Sequence, residues 1–146
     1  MPTARNDPAR NFSFVVDLGS VNIQAAFSEV SGLGVEIVPI EYRTGAEDRT
    51  VRKLPGLQKF SNIVLRRGIV ADRALWEWLE ATAEGNPTLA NVTVSLLNHQ
   101  REPALTWGIS SAWPCRWSGP TLDATSNAIA LETLELCHEG IALVHP

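Results

Sequence analysis

Apolar and polar residues alternate along most of this chain, and a period of two predicts strands. Residues 11–18 place Phe12, Phe14, Val16 and Leu18 on one parity against Ser13 and Asp17, the pattern of a half-buried strand. A second strand is predicted over 25–30, closed by the turn-like run Ser31-Gly32-Leu33-Gly34. A third spans 35–42, where Pro39 demands an edge or a bulge because it has no N–H to donate. Further strands are predicted over 63–67, 90–97, 104–110, 112–117 and 127–138. The last is apolar on both parities, through Ala128, Ala130, Leu134 and Leu136 and through Ile129 and Leu131. That predicts burial of both faces, one of them by another subunit.

Helical periodicity occurs once. Leu75, Trp78, Leu79 and Thr82 recur at i, i+3, i+4 and i+7 and predict an amphipathic helix over 72–83. Asp72 is placed to cap its start, Gly85 and Pro87 to end it, and Arg73 and Glu77 to pair on its wet side. Residues 43–60 show neither period; with Gly45, Pro55, Gly56 and many charges they read as a long functional loop. Residues 1–10 read as a flexible lead-in. The sum is one domain over 1–146, mainly β, a sandwich or barrel with one flanking helix.

Composition narrows the classes. A chain of 146 residues at 45% hydrophobic content has room for one core. Sixteen acidic against twelve basic residues, net −4, leave no footprint for general or sequence-specific nucleic-acid binding. No apolar run is long enough to span a bilayer. The polar start, with Pro2 and Pro8, is unlike a secretory signal peptide, so synthesis in the cytoplasm is expected. Of the five tryptophans, Trp78, Trp107, Trp113 and Trp117 are expected to anchor the core. Strand alternation would put Trp113, Cys115 and Trp117 together on its side.

Candidate chemistry is sparse. Cys115 and Cys137 make no disulfide framework. His99, His138 and His145 lack metal-ligand spacing, and Cys137 and His138, being adjacent on a strand, point to opposite faces. Ser31 to Gly34 lacks the third glycine and the helix of a phosphate loop, and no Gly-x-Ser-x-Gly is present. Asp72, Glu77, Glu80 and Glu84 read as a solvated helix face and not as a raised-pKa acid pair. No catalytic, cofactor or metal site is therefore expected, and no enzyme.

Several short runs carry a resemblance, in fixed order. Asp7-Pro8 with Asn11-Phe12-Ser13-Phe14, then Phe27-Ser28-Glu29-Val30-Ser31-Gly32-Leu33, Glu41-Tyr42-Arg43-Thr44-Gly45 and Arg52-Lys53-Leu54-Pro55-Gly56-Leu57 fill the first half. Leu65-Arg66-Arg67-Gly68 and Leu75-Trp76-Glu77-Trp78 follow, then Ala112-Trp113-Pro114-Cys115-Arg116-Trp117-Ser118-Gly119-Pro120 and residues 129–135. The chain resembles the phage tail tube family of contractile tails and extracellular contractile injection systems. It departs from the family pattern at Cys115, where an aliphatic residue is usual, and at Thr44, where an acidic one is frequent. The resemblance implies a fold similar to the haemolysin-coregulated protein of type VI secretion. It also implies hexameric rings stacked head-to-tail into a hollow tube, with a surrounding sheath protein, baseplate or tube-initiator proteins and possible lumenal cargo as partners. The expected setting is a phage tail or an injection particle, cytoplasmic or released. A baseplate-proximal tube-initiator paralogue of the same fold is the nearest alternative; a secreted β-sandwich binding module, using its tryptophans as a sugar platform, is the other.

Under that resemblance the 43–60 segment gains a role. Arg43, Arg49, Arg52, Lys53 and Lys59 against Glu47 and Asp48 make it +3, while Asp123, Glu132, Glu135 and Glu139 make the stretch from Gly119 −4. Opposite local charges suit a head-to-tail contact that repeats without closing, so the segment is expected to touch the adjacent ring.

Overall fold

The computed structural model describes residues 13–19, 27–43, 45, 49–69 and 73–145. In chain order the elements are β1 (Phe14–Asp17), β2 (Glu29–Ser31), β3 (Val35–Tyr42), β4 (Arg52–Phe60), β5 (Ile63–Gly68), α1 (Ala74–Ala83), β6 (Ala90–Leu97), β7 (Pro103–Ser118), β8 (Leu131–Cys137) and β9 (Gly140–His145). Seven strands follow one hydrogen-bonded path, β1-β6-β7-β8-β5-β2 with β9 on β7, and β3 and β4 form a separate pair. All pairings are antiparallel.

The long strand β7 turns this path into two layers. Its first half lies between β6 and β9, and its second half pairs with β8. The two halves predicted as separate strands, 104–110 and 112–117, are one element because two local irregularities keep its apolar residues pointing inward. Trp107 and Ile109 face the core on one parity. A bulge opposite Ala90 and Val92, with Ser111 at φ 53°, then hands the inward role to Ala112 and Pro114. A second register shift, between Pro114 and Arg116, brings Trp117 inward opposite Leu134. Each bulge adds a residue, reverses parity and bends the strand.

Leu18, Val92, Val94, Ile109 and Ala112 from one layer meet Ile63, Leu65, Leu134 and Leu136 from the other, and Leu75 and Trp78 of α1 join the same cluster. Each of these larger side chains contributes about 1.5–3 kcal/mol on burial. The helix starts at Ala74, with no side-chain cap on its first turn from Arg73; Asp72, the expected cap, lies outside the described residues. It ends as expected at Gly85, whose φ of +83° and N–H to the Thr82 carbonyl close the last turn. The Trp78 indole N–H is satisfied by the Thr88 carbonyl at 2.7 Å, and Arg73 approaches Glu77 at 3.9 Å.

One sequence expectation is corrected. Residues 52–60 of the expected 43–60 loop are strand β4, paired with β3 from Phe60↔Val35 to Arg52↔Tyr42. Charges and a proline hid the alternation, and a two-stranded ribbon tolerates Pro39 opposite Pro55 because each strand keeps an outer edge. The predicted irregularity at Pro39 is present as a register shift between Ile37 and Pro39. On β8 one parity, Glu132, Leu134 and Leu136, is buried within the chain, whereas Leu131 and the preceding Ile129 are exposed, so that theirs is the face left for the expected covering by another subunit.

Candidate assembly interface

The β3–β4 ribbon is the least self-sufficient part of the described chain. A two-stranded hairpin is marginal by itself in water, and neither strand pairs with the larger sheet. Its apolar residues nevertheless remain outside: Val35, Ile37, Ile40, Val51, Leu54 and Leu57 are all exposed, Leu57 at 78%. Ile40 pairs across the ribbon with Leu54, while Glu36 faces Lys59 and Glu41 faces Lys53. Opposite charges in register stabilise the ribbon but offset the positive charge expected of it. Over residues 35–60 five basic residues stand against four acidic ones. The exposed side chains that the ribbon offers a partner are therefore largely apolar, distributed over both of its faces with Val35 and Ile37 on one and Ile40 and Leu54 on the other.

The base of the ribbon is firmly placed. The Phe60 ring lies 5.8 Å from the His138 ring, and His138 Nε2 is 2.7 Å from the Ser61 carbonyl oxygen. A cleft of about 300 Å³ between ribbon and sheet is lined by Leu33, Val35, Trp107, Ile141 and Leu143. Gly32 makes the entry turn possible: at φ +88°, a Cβ there would stand 2.0 Å from the Asn62 carbonyl oxygen. Elsewhere β1, β2 and β9 end the sheet, each paired on one side only among the described residues. Val15 on β1 and Leu143 and Val144 on β9 add exposed apolar groups at these edges. Open edges of this kind are templates for pairing with another chain.

The residues expected at an inter-ring contact fall on or beside this ribbon. Arg52, Lys53 and Lys59 lie exposed on β4, Arg43 directly follows β3, and Arg49 is exposed ahead of β4. Glu47 and Asp48 lie outside the described residues. The acidic counterpart is smaller than its sequence count: Glu132 is buried and Glu135 half-buried, leaving Asp123 and Glu139 on the surface.

Of the expected core tryptophans, Trp78 is buried, and Trp107 and Trp117 pack against the core. Trp113 and Cys115 do not share that side. Trp113 alternates with buried Ala112 and Pro114 and pairs with Cys137 on the outer face, and Cys115, at the bulge, is exposed. Sequence reading also missed a buried ion pair. Arg67 on β5 donates from Nε to Glu132 Oε1, the Trp117 indole N–H donates to Glu132 Oε2 at 3.1 Å, and the guanidinium lies 6.0 Å from the centre of the Phe27 ring. The signal was available: Glu132 shares the parity of Leu134 and Leu136, and a carboxylate on a core parity requires a cationic partner.

Among the described residues no cluster of histidine, cysteine and carboxylate side chains is arranged to hold a metal ion, and no helix is long and apolar enough to cross a membrane.

Residues 10–142 match the family described as T4-like virus tail tube protein gp19. The fold is similar to a chain of the extracellular contractile injection system PVC sheath-tube complex in its extended state, at 31% identity and TM-score 0.85, covering 94% of this chain and 92% of that one. It is equally similar to a chain of the anti-feeding prophage tube-terminating cap, at 30% identity and TM-score 0.86, covering 98% and 95%. Hcp1 from Flavobacterium johnsoniae shares the fold at 12% identity and TM-score 0.60, covering 90% and 94%. No curated protein matches the sequence.

Proposed function

The chain belongs to the T4-like virus tail tube protein family, and on that premise we propose that six copies join edge to edge into a ring whose stacking, through the β3–β4 ribbon, builds the hollow inner tube of a contractile machine. It is a structural tube subunit of the kind found in contractile injection systems. The observation that carries the stacking role is the ribbon itself: exposed apolar side chains on a pair of strands that finds no third strand among the described residues. A heterologous, head-to-tail contact along the tube axis would cover it and repeat indefinitely. Ring closure would supply the open edges of β1, β2 and β9 with partners, main chain to main chain.

The sheath and the baseplate or initiator proteins are the partners this reading adds, with cargo in the lumen and no catalytic step in the subunit. The repeating subunit is favoured over an initiator, because edges and ribbon together provide for both lateral and axial repetition. The test is electron microscopy of the purified protein at high concentration, with particle mass measured in parallel and baseplate neighbours then added. Six-fold rings or hollow tubes are expected. A species that stays monomeric with those neighbours present would overturn the reading.

A further inference from the structure

We propose that Cys115 and Cys137 form an intrachain disulfide when the protein meets a low-molecular-weight disulfide oxidant, tying β7 to β8 on the outer face of the sheet. Trp113 is opposite Cys137, and the register then runs from Pro114↔Leu136 to Arg116↔Glu135, skipping Cys115. The skipped residue lies between the Leu136 and Glu135 rungs of β8. Its Sγ is 3.5 Å from the Glu135 carbonyl oxygen and 3.7 Å from Glu135 Oε2, and Asn62 Nδ2 is 3.9 Å from the same sulfur. Cys137 lies diagonally across the ladder from Cys115, one rung beyond Leu136 and opposite Trp113. Both thiols are free, Cys115 exposed and Cys137 half-buried.

A disulfide brings its sulfurs to about 2.05 Å and tolerates only a narrow range of backbone separations. The bulge makes that approach feasible, since a residue outside the ladder register can shift without sliding the strands. Partial desolvation of its sulfur, then the Cys137 thiol and the Glu135 carboxylate, push the Cys115 thiol up to about 12. One of the two cysteines, its proton taken by base, attacks one sulfur of oxidised glutathione, forming a mixed disulfide and expelling one glutathione thiolate. The other, likewise deprotonated, then attacks the cysteine sulfur of that mixed disulfide and expels the second. Two cysteine thiols are oxidised to one disulfide, and one glutathione disulfide is reduced to two glutathione thiols.

The bond would close the segment 115–137 at its base, including residues 119–130, which form no helix or strand and expose Leu122 and Ile129. It would remain open in a reducing cytoplasm and close in an oxidising exterior. It is a property of the single chain, so it stands or falls separately from tube formation.

The test is incubation of the whole purified chain with oxidised glutathione, followed by intact mass and non-reducing tryptic mapping. Trypsin separates Cys115 in peptide 102–116 from Cys137 in peptide 117–146. A chain lighter by two hydrogens, with these peptides joined, is expected, and the oxidised form should melt about 5–10 °C above the reduced one. Cys115→Ser should stop at a glutathione adduct on Cys137. The proposal is overturned by a chain carrying glutathione on both cysteines, by a disulfide joining two chains, or by two thiols that stay free while the denatured chain oxidises.

Discussion

The side chain with most at stake is Glu132, a carboxylate buried on the core face of β8 and held by Arg67 and the Trp117 indole. Removing one member of a buried pair strands the other charge, so Arg67→Ala and Glu132→Ala should each destabilise the fold by about 3–5 kcal/mol. Substituting both, Arg67→Met with Glu132→Leu, should cost less than either alone. Urea denaturation of the three variants checks this. Cys115 makes a second prediction at this scale, in protein kept reduced. Its folded value of about 12 lies above the ordinary 9.0, so the unfolded chain releases this proton first. Its contribution is therefore fully present below pH 9 and is lost as pH rises toward 12. Between pH 8 and 11 the wild type should lose more stability than Cys115→Ser, measured by urea denaturation at each pH.

Among the elements, β7 makes the strongest claim, because its two bulges decide which tryptophan is core. Trp117 packs against the buried cluster and holds Glu132; Trp113 looks outward across from Cys137. Trp117→Ala should therefore cost about 3–5 kcal/mol and Trp113→Ala distinctly less, read as the difference between their thermal unfolding midpoints. Equal losses would mean that the parity reversal at Cys115 is absent. Strict alternation would have put both rings on one face. The bulge, which no residue pattern announced, separates them.

For the whole molecule, the question is what covers the β3–β4 ribbon. If apolar contact dominates stacking, Leu57→Asp should abolish tube formation while leaving subunit stability within about 0.5 kcal/mol, as expected for a substitution at an exposed site. Negative-stain images and a denaturation curve of the same sample check both halves. Arg52→Glu with Lys53→Glu tests the charge contribution separately. Tubes should shorten, and unchanged tube length would remove these two cations from the contact. The paired arrangement of Glu41 with Lys53 gives the apolar variant the larger expected effect.

How much of this was legible depends on how far apart the interacting residues lie. Residues 35–42 and 90–97 read as strands and are strands with those bounds, because a period of two is a local property of the chain. The helix read equally well from Leu75, Trp78, Leu79 and Thr82, and the ordered motifs from Asp7 to Gly140 pointed to the tail tube family. Local reading failed where a remote partner sets the outcome. Residues 52–60 become a strand only because β3 lies alongside, and β9 only because β7 has a free edge for it. Glu132 is tolerated in the core only because the chain brings Arg67 to it from 65 positions away. The sequence by itself determined the periodicities, the turns and the family. The tertiary structure alone decided the parity of β7, the buried ion pair, the neighbouring cysteines and the uncovered ribbon, because each depends on contacts between segments that no local pattern encodes.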